Sequence, residues 1–120
     1  MKIIIKASQL DLTPAIYEYI ETKIGSLDKF VKKFETKSDI KTEVGIARST
    51  KHHRHGNVFF AEANIHLPKK ILRAEHYDIN IRIAIDNIKK KLHQEILKYK
   101  DAHFSAPLRR VKKTSRKTSR

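Results

Sequence analysis

Apolar positions recurring at spacings of three and four mark two stretches of this chain. In IRIAIDNIKKKLHQEILKYK, residues 81–100, Ile81, Ile85, Ile88, Leu92, Ile96 and Tyr99 follow the helical period. They predict a helix from about 80 to 102, with Asp78 and Asn80 both suited to cap it. In LTPAIYEYIETKIGSLDKFVKKF, Ile16, Tyr19 or Ile20, Ile24, Leu27, Val31 and Phe34 do the same. Thr13 there is an N-cap and Pro14 occupies the first helical position. The expectation is one helix from about 14 to 33, with Gly25 inside it at a cost of roughly 1 kcal/mol against alanine.

Elsewhere the period is two. KIIIKA (2–7) is β-branched and short, and DIKTEVGIARST alternates Ile40, Thr42, Val44 and Ile46 with polar neighbours. VFFAEANIHL (58–67) places Phe59, Ala61, Ala63, Ile65 and Leu67 on one face, leaving Phe60 as the lone aromatic beside Glu62 and Asn64 on the other. ILRAEHY (71–77) follows the PKK turn, where Pro68 breaks the ladder. The order is therefore β-α-β-β-β-α, an α+β class. A four-stranded sheet should carry both helices on one face, since an alternating sheet leaves its other face polar. No internal repeat is present. The 120 residues fit one domain, assigned to 1–104, with a basic tail, SAPLRRVKKTSRKTSR (105–120), too poor in apolar residues to order itself.

Charge changes this picture more than any motif. Lys and Arg total 27 against 13 Asp and Glu, a net charge of +14. The tail holds seven of the basic residues and no acid, so residues 1–104 keep +7. A field of that sign draws polyanions. The last helix concentrates it: Arg82, Lys89, Lys90, Lys91, Lys98 and Lys100 stand against Asp86 and Glu95. The first adds Lys23, Lys29, Lys32 and Lys33. Two helices on one sheet face would bring these cations to a common surface that meets a nucleic-acid backbone. The plainer alternative is a solvated helix exterior, with Lys near a C-terminus favoured by the dipole; the net charge favours nucleic acid.

Other chemistry finds little footing. Cysteine is absent, which excludes disulfides, thiol catalysis and Cys-ligated zinc and fits a reducing cytoplasm. His52, His53 and His55 share one polar loop, KHHRHGN, with no nearby carboxylate, so a metal site is not expected there. That loop reads as a polar hairpin tip, or as a basic loop able to meet RNA. His66 and His76 lie in strands and read as structural. No Gly-rich phosphate loop or nucleophile motif occurs, so the expectation is a binding protein rather than an enzyme, with no cofactor. No apolar run is long enough to span a bilayer and no secretory signal is visible.

Two segments together resemble the ribosome hibernation-promoting factor and ribosome-associated translation inhibitor family. LDLTPAIYEYIETKIGSLDKF (10–30) is similar to that family's opening helix, with its T-P-A start and K-I-G-x-L run. LRAEHYDINIRIAIDNIKKKLHQEILKYK (72–100) resembles its strand-to-helix segment, with A-I-D, K-L and K-Y-K. The likeness spans essentially 1–102 and is to the short forms, as the chain stops at 120. It implies a sheet with two helices on one side, as in double-stranded-RNA-binding domains. It also implies that the protein binds the small ribosomal subunit, its ribosomal RNA and neighbouring proteins, in the channel for transfer and messenger RNA, blocking translation by occupancy. No membrane or small-molecule partner is implied, and the chain is expected to be monomeric off the ribosome.

Carried over by residue, the likeness matches Lys23 to the K-I-G lysine, Arg73 to the arginine of L-R-[AS]-E, and Lys91, Lys98 and Lys100 to basic positions of the last helix. Gln94-Glu95 departs from the family's Arg-Gln, and Asn80-Ile81-Arg82 from its D-M-Y. Two other readings use the same charge: a general double-stranded-RNA-binding protein, and a protein-interaction regulator of transcription machinery. The first of these expects lysines at the start of the last helix rather than its middle.

Overall fold

A computed structural model describes residues 1–35, 40–49 and 58–102. The loop histidines His52, His53 and His55 and the tail 105–120 lie outside the described residues. The chain runs β1 (Lys2–Ser8), α1 (Pro14–Gly25), α2 (Asp28–Val31), a 3-10 turn (Lys32–Phe34), β2 (Lys41–Ser49), β3 (Val58–Leu67), β4 (Lys70–Asp78) and α3 (Ile81–Lys100). The strands form one sheet in the order β1-β2-β3-β4. β1 lies parallel to β2, while β2, β3 and β4 are joined antiparallel. The α+β class and the β-α-β-β-β-α order read from the periodicities are the architecture observed.

The expected first helix from 14 to 33 is broken. Thr13 caps α1 as anticipated, its Oγ1 accepting from the Ile16 N–H at 3.2 Å. At the other end Ser26 ends it. The Ser26 hydroxyl donates to the Lys23 carbonyl at 2.6 Å, the acceptor that a continuing helix would offer to the Leu27 N–H. Leu27 N–H bonds the Ile24 carbonyl instead, at 3.0 Å. A serine hydroxyl competing for a main-chain acceptor, next to the flexible Gly25, thus splits one apolar stripe into α1 and α2. The stripe survives the break, because Ile20, Ile24, Leu27 and Val31 are all fully buried. α3 needs no such correction: Asn80 Oδ1 accepts from the Arg82 and Ile83 N–H groups at 2.9 and 3.3 Å.

Register sorts the sheet's two faces. On the helix side, Ile3, Thr42, Ile65 and Leu72 form one row and Ile5, Val44, Ala63 and Ala74 the next. Small residues at 61, 63 and 74 leave room for Ile85, Ile88, Leu92 and Ile96 of α3, which are fully buried. Each large aliphatic side chain so placed contributes about 1.5–3 kcal/mol. The opposite face is more apolar than alternation alone suggests. Phe60 is not the lone aromatic there: Tyr77 faces it across β3 and β4, with ring centroids 4.7 Å apart. Ile71 is also exposed on that side.

Two further ties fix the elements that carry the cations. The partly buried Met1 ammonium donates to Asp28 Oδ1 at 2.9 Å and Glu35 Oε2 at 3.2 Å, tying the start of β1 to α2. The hydrogen bond it donates to Asp28 is the main reason the ammonium's pKa is raised. Glu35 also accepts from the Ile40 N–H at 3.1 Å. At the far end, the Tyr99 hydroxyl donates to the Pro68 carbonyl at 2.9 Å, pinning α3 to the β3–β4 turn.

Candidate nucleic-acid interface

Spacing along α3 divides its exterior into three strips, and contacts show which way each faces. Arg82, Asp86, Lys89, His93 and Lys100 share the strip turned toward α1 and α2. Ile83, Lys90 and Leu97, seven residues apart, form the outer crest. Lys91, Glu95 and Lys98 form a third strip toward β4. All of these cations are exposed or half-buried.

The strip toward α1 meets the first helix in a tight cluster. The Tyr19 hydroxyl donates to Asp86 Oδ1 at 2.6 Å. Lys23 Nζ stands 3.9 Å from the same carboxylate oxygen and 5.5 Å from the Tyr19 ring centroid. The Arg82 guanidinium carbon is also 5.5 Å from that centroid. Two cations from different helices are thus held against one aromatic ring, each in cation–π range. The carboxylate raises the Tyr19 pKa, chiefly by accepting its proton in a hydrogen bond. One helical turn past the break, Phe30 packs on His93 with ring centroids 4.4 Å apart, and Lys29 Nζ lies 5.2 Å from the Phe30 centroid. The seam between the helices thus sets Lys23, Arg82 and Lys29 against the rings of Tyr19 and Phe30.

The expected cations separate on this frame. Lys23, Lys29, Arg82, Lys89 and Lys100 belong to the seam. Lys32 and Lys33 are exposed on the 3-10 turn that follows α2, and Lys90 is on the crest. Lys91 faces away, donating to the Glu75 main-chain carbonyl at 2.8 Å and standing 3.4 Å from His76 Nδ1. Lys98 lies on that same strip and pairs with Glu95 at 3.4 Å.

Arg73 is on the opposite side of the sheet. It donates to Glu62 at 2.8 Å and Asn64 at 3.2 Å. Gly45 makes room for that clasp, since a Cβ there would stand 3.2 Å from Glu62 Oε2. The two structural histidines are paired as side chains of the sheet: His66 with Glu43 at 2.9 Å, and His76 with Asp78 at 3.6 Å.

In the sequence Tyr19 reads as a member of the apolar stripe of the first helix, and Asp86 as one of two acids among the cations of the last. Both are central to the seam. The signal was available in principle, since Tyr19 and Lys23 lie four apart on one helix and Arg82 and Asp86 four apart on the other. What was missing was which strip of each helix faces its neighbour. Lys69 and Lys70, read only as turn residues, flank Lys98 on the far strip. Among the described residues, no group of three His, Asp or Glu side chains could hold a metal ion, and no helix is long and apolar enough to cross a membrane.

Comparison with known proteins places this chain in a family. The chain is 28% identical over 116 residues to a ribosome hibernation promotion factor of Picosynechococcus sp., covering 96% of this chain and 57% of that protein. It is 31% identical over 102 residues to one of Lactococcus lactis subsp. cremoris, covering 83% of this chain and 50% of that protein. The chain thus spans about half the length of these curated relatives. In fold it is similar to the N-terminal domain of Thermus thermophilus Protein Y, with a TM-score of 0.66 at 24% identity over 82% of this chain and 99% of that one. A ribosomal subunit interface protein from Coxiella burnetii superposes with a TM-score of 0.62 at 20% identity, over 83% and 98% of the two chains. Residues 3–103 match the family described as Sigma 54 modulation protein / S30EA ribosomal protein, and the chain belongs to it.

Proposed function

We propose that this protein is a ribosome-associated translation inhibitor of the hibernation type. It binds the small ribosomal subunit in the channel used by transfer and messenger RNA, and it acts by occupancy without turnover. The observation that carries this reading is the seam between α1 and α3. Lys23 and Arg82 are held on the Tyr19 ring, and Lys29 on Phe30, so the cations are ordered before any ligand arrives. Preordered cations lose less conformational entropy on meeting phosphate than free lysine side chains do. A ridge of this kind fills a groove walled by ribosomal-RNA phosphates and displaces a competing polyanion. Membership in the family, and the names of the relatives, support the ribosome as the target.

The test is co-sedimentation of the purified chain with bacterial small subunits, with messenger RNA and transfer RNA added as competitors. The expected result is binding that these two RNAs displace, while free double-stranded RNA competes poorly. Equal competition by free double-stranded RNA would make the chain a general RNA-binding protein. Capture of a polymerase subunit after nuclease treatment, without ribosome binding, would make it a regulator of transcription. With about six phosphate contacts, affinity should fall roughly a thousandfold between 50 and 200 mM salt.

A further inference from the structure

The flank of α3 turned away from α1 carries a second basic surface, built from the far end of the helix and the β3–β4 turn. Lys69 stands on that turn, Lys70 at the first position of β4 and Lys98 on the helix opposite. The three border a cleft of about 530 Å³ that Pro68, Tyr99 and Ala102 also line. The walls are held rigidly together. Tyr99 bonds the Pro68 carbonyl at 2.9 Å, and its ring meets Phe34 edge-on at 4.9 Å between centroids. Lys69 itself sits in the left-handed region, with φ at 65°, which fixes the direction of the turn at its tip.

We propose that this cleft is a second phosphate-binding site, and that it takes the backbone of an RNA segment other than the one lying in the α1–α3 seam. Charge complementarity selects the occupant. Three lysines line the cleft against one acid, Glu95, which is partly neutralised by Lys98 at 3.4 Å. The carbonyl end of α3 opposes an anion nearby, a term of at most about 1 kcal/mol at an exposed terminus. The lysines outnumber it, and a lining that includes Pro68, Tyr99 and Ala102 suits the sugars and bases of a polynucleotide better than a free inorganic ion. The Ile83–Lys90–Leu97 crest separates this cleft from the seam, so one RNA strand cannot lie in both without crossing the helix. α3 is accordingly a wedge with a phosphate-binding flank on each side, suited to a channel with RNA on both walls. This rests on the ribosomal reading above and adds a second contact to it.

The experiment uses the full chain and purified bacterial small subunits. Affinity is measured across a salt series for the unaltered protein, for Lys69→Asn with Lys70→Gln, and for Lys98→Gln alone. Asparagine tolerates the left-handed conformation at 69, and Lys98→Gln leaves the turn untouched. Losing two phosphate contacts should reduce the slope of log affinity against log salt by about 1.8, and losing one by about 0.9. A photo-crosslinker at position 70 should capture ribosomal RNA. If the unaltered chain binds and the variants keep its full slope, or the crosslinker captures only ribosomal protein, the second site is overturned while the ribosomal reading stands. If the unaltered chain does not bind small subunits, the ribosomal reading itself has failed.

Discussion

Tyr19 on α1 gives its hydroxyl proton to Asp86 on α3 at 2.6 Å, and the same carboxylate oxygen lies 3.9 Å from Lys23. An acid in the middle of a basic ridge is thereby explained. It costs one unit of positive charge and in return fixes a tyrosine and a lysine across the helix seam.

Asp86→Ala should release both. The Tyr19 phenol loses its acceptor, so its pKa should fall back toward the ordinary tyrosine value of about 10. A raised pKa in the folded state contributes stability that is complete below about pH 10 and is lost as pH rises through the folded value. The unaltered protein should therefore lose stability in strongly alkaline solution, and Asp86→Ala should lose less. At neutral pH the variant should be about 1 kcal/mol less stable, a partly exposed hydrogen bond to a charged group being worth that much. Phenolate absorbance against pH checks the first point: one of the four tyrosines should titrate earlier in the variant. An unchanged titration curve would dissolve the link.

Thr42 offers a stabilising change. It stands in the helix-side row between Ile3 and Ile65, fully buried, and its hydroxyl has no hydrogen-bond partner among the described residues. Valine has nearly the same shape and no hydroxyl to desolvate. Thr42→Val should gain about 1 kcal/mol, raising the thermal midpoint by roughly 4–8 °C for a domain of this size. Loss of stability instead would reveal a partner for the hydroxyl.

How much of this was legible beforehand depends on what set each feature. Helix and strand identity follows from local spacing, and both N-caps, Thr13 and Asn80, are local as well. The break at Ser26 was not legible, because the apolar stripe of Ile24, Leu27 and Val31 runs through it unbroken. The deciding event was one hydroxyl reaching one carbonyl. The cations were all visible by composition, and their exposure was expected. Their division between two flanks of α3 was not, because helical spacing gives strips without saying what each strip faces. Arg73 shows the limit most clearly. It entered the candidate set through the L-R-[AS]-E likeness, while its strand position, alternating with Leu72 and Ala74, puts it on the sheet face away from the helix lysines.

Two neighbouring lysines of α3 separate binding from folding. Lys89 lies on the seam strip, while Lys91 is engaged with the Glu75 carbonyl of the edge strand β4. Lys89→Met should leave unfolding unchanged and reduce the salt slope of ribosome binding by about 1. Lys91→Met should do the reverse, costing on the order of 0.5–1 kcal/mol of stability with the slope nearly intact. Chemical denaturation and the salt series, run on both variants, check the pair; identical effects from the two would refute the division of α3 into strips.

Acid should unfold this protein through two glutamates that have specific donors. Glu35 is held below the ordinary carboxylate range chiefly by the Ile40 N–H, and next by the Met1 ammonium. Glu43 is lowered chiefly by the hydrogen bond from His66, with the charge of Lys41 adding to it. For a carboxyl whose pKa is lower in the folded state, the stabilising contribution is present above the unfolded value and disappears as pH falls through the folded one. Stability should thus be level near neutrality and decline once pH drops below about 4.3, the ordinary glutamate value. Glu35→Gln with Glu43→Gln keeps the shape and removes the titration. The double variant should be less stable at neutral pH, and its urea midpoint should change less between neutral and acid pH than that of the unaltered chain. Parallel pH profiles would place the acid sensitivity in other carboxyls. Of the two, Glu35 should matter more, because it joins the N-terminal ammonium, the chain entering β2 and, through their common ligand Met1, Asp28 of α2.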